Sequence, residues 1–269
     1  MQITDYPKAT SLMESNVLLI DGPEGTKTIG ALDAILAALH EISPENHKRI
    51  FRGKSLGTEV TDEQLAAIQN GTFEDIWLGD YWEANGHKWR VVDFDYWRNT
   101  GDNAFTNHHL VIMPDTYLYT SVMNDTAVTT GAYIGSKMYA SGLTSAKATI
   151  KSVFGDALLT RRSFFNNSVS GEYAATGDWY SSQVDLPNEI MMFGSYIHAG
   201  GGVDAKRYTT DRTQLALFQL SPQHLVNGNA CWLRDVASHA NFAALGYRGT
   251  ATHMNANTEL GVRPVFAIG

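Results

Sequence analysis

Nine histidines, a pair of closely spaced aspartates and one cysteine are the residues with the chemistry for catalysis or metal binding. A zinc hydrolase sets His-Glu-x-x-His on one helix so that both imidazoles meet one ion. No such spacing occurs, and His108 and His109, being adjacent, point to opposite faces of an extended strand. No Gly-x-Ser-x-Gly elbow presents a nucleophile, and no Gly-x-x-x-x-Gly-Lys loop cradles phosphate. Asp93 and Asp95 stand at strand spacing and could flank a glycosidic bond as acid and base; they read equally as a solvated strand edge. Cys231, between Ala230 and Trp232, is expected to be buried and inert, and a lone cysteine leaves neither an intrachain disulfide nor a thiolate zinc site. No catalytic residue, metal or cofactor is expected.

Binding chemistry is richer. Ala230-Cys231-Trp232-Leu233-Arg234-Asp235 and Gly261-Val262-Arg263-Pro264-Val265-Phe266 both read as strands carrying one Arg among apolar residues. Paired antiparallel, they would bury Trp232, Leu233, Val262, Val265 and Phe266 and display the segment between them. There Asp235, Ser238, His239, Asn241, Tyr247, Arg248, His253, Asn255 and Asn257 alternate with Ala, Gly and Thr. Tyr gives contact area at low entropic cost, Arg gives fixed donors, and Asn and His give adaptable hydrogen bonds. The same alternation also describes the solvated side of an ordinary β-meander. Of the six tryptophans, Trp97 and Trp179 are the better candidates for stacking on a sugar, because polar residues flank them.

The elements positioning these residues follow from local signals. A strand at Asn16–Ile20, a turn at Asp21–Gly25 and a strand at Thr26–Ile29 precede a helix over Ala31–Ile42 with Leu32, Ile35, Leu36 and Leu39 at helical spacing. This unit, residues 1–45, is too small to bury its own stripe and is expected to associate with copies of itself or a neighbour. Residues 46–269 form the second domain. Thr61-Asp62-Glu63-Gln64 is a capping box opening a helix that ends at Asn70-Gly71. Asn85-Gly86 between aromatic strands predicts a hairpin. His109–Met113 reads as a buried strand, Ala132 to Leu159 as two helices parted near Gly142, and Glu189–Phe193 and Leu215–Leu220 as strands. The stretch from Ala199 to Asp211 reads as a mobile loop. The whole is α+β, with short strands, two or more helices and long loops.

With 20 Lys and Arg against 28 Asp and Glu, the net charge of −8 offers no basic stripe for nucleic acid. No apolar run approaches the roughly 20 residues needed to span a bilayer, and the opening Met1–Pro7 lacks the signature of a secretory leader, so membrane insertion is not expected.

Cys-Trp-Leu-Arg, a variable stretch containing Gly and Asn, then Gly-Val-Arg-Pro and a terminal apolar strand resemble the C-terminal end of C-type-lectin-fold domains in receptor-binding and fibre proteins of tailed bacteriophages, and the related variable proteins diversified by retroelements. The likeness extends upstream through Gly79-Asp80-Tyr81-Trp82, Trp89-Arg90-Val91-Val92, His109–Pro114, Phe154-Gly155 and Leu217-Phe218, covering roughly residues 50 to 269. It implies that Trp232, Arg234, Gly261, Arg263 and Pro264 are scaffold, with both arginines buried against loop carbonyls, and that positions between Asp235 and Leu260 contact a receptor. The sets Glu-Pro-Asn and Trp-Asn-Asp that supply calcium in sugar-binding lectins are missing; Leu186-Pro187-Asn188-Glu189 is the nearest fragment and reads as a helix or turn boundary. The resemblance implies a virion protein, assembled in the host cytoplasm and trimeric by fibre symmetry. Its amino-terminal segment would join other virion proteins, and its displayed face would bind a bacterial surface glycan or protein without catalysis. A subunit that cements its virion neighbours and a glycan depolymerase are the alternatives.

Overall fold

The computed structural model describes residues 17–22, 25–42, 44–200, 210–226 and 228–269. The opening Met1–Pro7, Asn16, the centre of the expected turn at 23–24 and most of the expected loop after Ala199 lie outside them. The chain divides into two compact units, Met1–His47 and Lys48–Gly269. In the first, β1 (Val17–Gly22) and β2 (Gly25–Gly30) pair antiparallel, and α1 (Ala31–Ile42) follows. Leu36 is buried, whereas Leu32 and Ile35 are exposed.

The second unit runs β3 (Ser55–Gly57), α2 (Asp62–Gln69), β4 (Tyr81–Ala84), β5 (His87–Phe94), β6 (Leu110–Pro114), β7 (Tyr119–Ser121), α3 (Thr144–Phe154), β8 (Arg161–Ser170), β9 (Tyr173–Ser182), β10 (Val184–Asp185), α4 (Glu189–Phe193), α5 (Ala216–Leu220), β11 (Cys231–Val236), β12 (Asn241–Leu245), β13 (Ala251–Asn255), β14 (Leu260–Val262) and β15 (Val265–Ile268). Among the described residues this is a mixed α+β chain of mostly strands with five short helices, counting α1. No helix among them is long and apolar enough to cross a membrane.

Local chemistry explains several elements. Thr61 Oγ1 accepts from Gln64 N–H and Gln64 Oε1 accepts from Thr61 N–H, both at 3.2 Å, which starts α2. Asn85 and Gly86 both have positive φ, 52° and 76°, the requirement of a two-residue turn whose twist matches β4 and β5.

The six-stranded sheet has the order β10-β15-β6-β5-β4-β3, and the five-stranded sheet β13-β12-β11-β14-β7. Alternate residues of β11 and β12 feed two cores. Cys231, Leu233, Ala243 and Leu245 join a cluster with Trp89, Ile112 and Phe266 from the six-stranded sheet, while Trp232, Val236, Phe242 and Ala244 join a second with Tyr133 and Phe165. Both faces of β11 are therefore covered, and all six of its residues are buried.

Four expectations are corrected. The two C-terminal strands do not pair antiparallel: Cys231 faces Gly261 in a parallel bridge, and β15 leaves to pair with β6 and β10. Pro264, with no N–H, stands where the chain changes sheets, and Arg263 is bonded to Pro114 O. The runs Glu189–Phe193 and Leu215–Leu220 hold α4 and α5 rather than strands. Asn188 Oδ1 accepts from Met191 N–H and Gly194 closes α4 left-handed, while the Asp93 carboxylate accepts the first amide of α5 from Ala216. The first of the two helices expected after Ala132 is reduced to one short turn. Gly131 and Gly135 meet backbone to backbone in a turn, then Met138–Gly142 forms a single π-helical turn before α3. Asp93 is no solvated edge: a bulge between Val91 and Asp93 accompanies its burial, and Asp95 has left the strand with φ +53°.

Candidate functional site

The frame under the site is built from buried polar bonds. Trp232 Nε1 donates to Ser121 O at 2.9 Å. Arg234 Nη1 donates to Leu186 O at 3.0 Å, its Nη2 to the Asp211 carboxylate, and its guanidinium lies over the Phe165 ring. Arg263 donates to Pro114 O at 2.8 Å and His224 O at 3.2 Å. A Cβ on Gly261 would lie 2.7 Å from Tyr117 Cβ and 2.9 Å from Cys231 Sγ, so only glycine fits there. Pro264 is buried. Cys231 is buried among apolar residues.

The nine residues expected to meet a ligand separate into distinct places. Asp235 is not displayed at all: it is 2% exposed and accepts Glu189 N–H at 2.5 Å. Burial of β11 on both faces leaves it no path to solvent. On β12 and β13, Asn241 faces Asn255 and Ala243 faces His253 in register, so period-two alternation places Asn241, His253 and Asn255 on one side. Asn241 is half-buried; His253 and Asn255 are exposed. Asn241 Nδ2 donates to His253 Nδ1 at 3.0 Å, which leaves the proton of the neutral ring on Nε2. Tyr247 and Arg248 lie in the turn joining the two strands, about 15 Å from Asn241 by strand length, with the Arg248 guanidinium 5.1 Å over the Tyr247 ring. Ser238 and His239 form the turn before β12: Ser238 Oγ accepts from Asn241 N–H at 3.2 Å, and the His239 ring meets the Glu172 carboxylate at 2.8 Å. This exposed pair holds the Glu172 carboxyl below its ordinary range, chiefly through the ring's hydrogen bond. Asn257 is exposed just beyond β13.

Three residues absent from the sequence-based expectation complete the site. His198 packs edge-on against His253 with ring centroids 4.8 Å apart. Its position is set by Glu189, whose buried carboxylate accepts the successive N–H groups of Ile197 at 3.1 Å, His198 at 3.0 Å and Ala199 at 2.9 Å. Asp235 holds the Glu189 amide in turn, so a chain of bonds runs from the central strand through α4 to the His198 backbone. Glu172, at the β8–β9 turn, braces His239. None of these partners is near in sequence, and no local signal marks them.

Trp97, one of two indoles expected to stack on a sugar, is 1% exposed and donates to Asp211 Oδ1 at 2.5 Å, so it is core. Trp179 is half-buried against Phe164. Asp211, expected at the end of a mobile loop, is buried under this network. Among the described residues no group of three or more His, Cys, Asp or Glu side chains could hold a metal. No family model, curated protein or solved structure matches the chain.

Proposed function

We propose that the chain is a virion surface protein whose second unit is a C-type-lectin-like domain binding a receptor on a bacterial host, a glycan or a protein, without catalysis. The observation that carries the reading is the side shared by Asn241, His253 and Asn255: side chains with both donors and acceptors on an edge hairpin, beside a strand whose six residues are all buried. A rigid frame beneath adaptable polar contacts lowers the ordering cost of binding. The first unit, with Leu32 and Ile35 exposed on α1, attaches the chain to other virion proteins and joins it to further copies, a trimer by the symmetry of fibres. Weak contacts multiply into avidity in such an assembly.

Retention of the full chain on a panel of bacterial cells, with and without His253→Ala and Tyr247→Ala, tests this. Loss with His253→Ala supports the strand face, and loss with Tyr247→Ala alone moves the site to the hairpin tip. Binding that survives both removes the assignment. Release of reducing sugar from cell envelopes would overturn the non-catalytic reading.

A further inference from the structure

An open cavity of about 360 Å³ lies where the end of β5 meets the start of α5; its lining includes Lys48, Arg49, Asp93, Asp95, Tyr96 and Gln219 and no residue of the strand face. The volume falls in the range of small-molecule sites. Its walls are tied together before any ligand arrives. Asp93 accepts Phe94 N–H at 2.7 Å and Ala216 N–H at 2.9 Å, joining β5 to α5. Tyr96 donates its hydroxyl to Thr213 O at 2.6 Å, joining the turn after β5 to the segment before α5. Asp95 is held at φ +53° by three bonds: its N–H to His109 O, its Oδ1 from His109 N–H, and its Oδ2 to the His108 ring at 2.7 Å. A non-glycine residue in this backbone region is strained, and such strain persists where the surroundings fix it.

The lining chemistry selects the ligand class. Two cations, Lys48 and Arg49, stand against two carboxylates, Asp93 and Asp95, so the cavity has no net formal charge and favours neither an anion nor a cation. Hydroxyl groups both donate and accept, so a polyol answers the partly exposed Asp95 carboxylate and the cationic donors together, while Asp93, buried with both oxygens bonded, contributes only its charge. Gln219 gives one amide N–H to Gln214 O at 2.6 Å and keeps its other N–H and its carbonyl oxygen. The half-buried ring of Tyr96, also in the lining, offers surface to the C–H groups of a sugar. We infer that this cavity binds an uncharged sugar unit, at a site separate from the Asn241–His253–Asn255 face and independent of whether that face meets a receptor.

Saturation-transfer NMR on the full chain, with methyl glucoside, methyl mannoside and N-acetylglucosamine as neutral probes and glucosamine and glucuronate as charged ones, tests the inference. The expected result is saturable binding of at least one neutral probe in the millimolar range. Arg49→Ala and Gln219→Ala, both at exposed positions, should each weaken it at least tenfold, while Asn241→Ala and His253→Ala leave it unchanged. Binding by charged probes alone, by none, or binding that the two cavity variants leave intact would overturn the inference. Loss through the strand-face variants alone would overturn it too, by moving the sugar to the other site. Retention on cells is scored separately, so either site can fail without the other.

Discussion

The Arg234 guanidinium on β11 is paired with the Asp211 carboxylate, and both side chains are sealed from water, at 2% and 0% exposure. The other oxygen of Asp211 takes the Trp97 indole N–H, and the guanidinium of Arg161 lies 3.9 Å over the Trp97 ring while bonding Asp185 at 3.2 Å. Two arginines and two aspartates thus lock the base of the frame. Removing one partner of a buried pair leaves an uncompensated charge, so Arg234→Ala or Asp211→Ala is expected to cost about 3–5 kcal/mol in urea unfolding. An Arg234→Met, Asp211→Leu double variant should lose much less, since it removes both desolvated charges.

Asp93 and His109 oppose each other in pH dependence. Burial pushes the Asp93 carboxyl up to about 6, so its contribution is fully present below the unfolded value near 4 and is lost as pH rises to about 6. Burial pushes His109 down to about 4; its contribution is present above the unfolded value near 6.5 and is lost as pH falls toward 4. His109 is neutral in the fold, accepting Trp97 N–H at Nε2 and bonding Asn107 O through Nδ1. Each effect is on the order of 3 kcal/mol. These two groups should nearly cancel between pH 4 and 6.5. Asp93→Asn should tilt the stability profile so that it rises with pH across that window, and His109→Phe should tilt it the other way, both read by chemical denaturation at stepped pH.

Gln64 serves three bonds from one side chain. Its Oε1 accepts from Thr61 N–H and from the buried Trp82 indole at 3.0 Å, and its Nε2 donates to Leu56 O at 3.1 Å. Thr61→Ala removes a cap and is expected to cost about 1 kcal/mol. Gln64→Ala also orphans a buried indole N–H and should cost roughly 2–3 kcal/mol, measured by urea midpoint.

What was legible in the sequence was local. Thr61 and Gln64 stand three residues apart, and Asn85-Gly86 can adopt the two positive φ angles of its turn, so neighbouring residues alone specify α2 and the β4–β5 hairpin. The runs at 189–193 and 215–220 are five and six mostly apolar residues, too short for a period of two to be told from 3.6. Their helical state was decided by Asn188, Gly194 and, from 123 residues away, Asp93. The parallel bridge of Cys231 with Gly261 is likewise non-local. At the site, alternation identified Asn241, His253 and Asn255, but Asp235 alternates just as well; what buries it is α4, packed on β11 with the Glu189 amide bonded to its carboxylate, which no spacing announces.

Glu189 acts on the site through the loop it holds. Glu189→Gln replaces one acceptor oxygen with a donor, while three N–H groups still need partners. Amide hydrogen exchange at residues 197–199 is expected to quicken at least tenfold, with the exchange of β11 amides little changed, and binding through His253 should weaken in step.

Equilibrium binding of the labelled full chain to a recognised bacterial cell, compared with the Asn241→Ala, His253→Ala, Asn255→Ala triple variant, bears most directly on the strand face as the receptor site. The account predicts at least a hundredfold loss of affinity with the urea midpoint preserved, because two of the three residues are exposed and none belongs to either core. Undiminished binding by a triple variant that remains folded would contradict it.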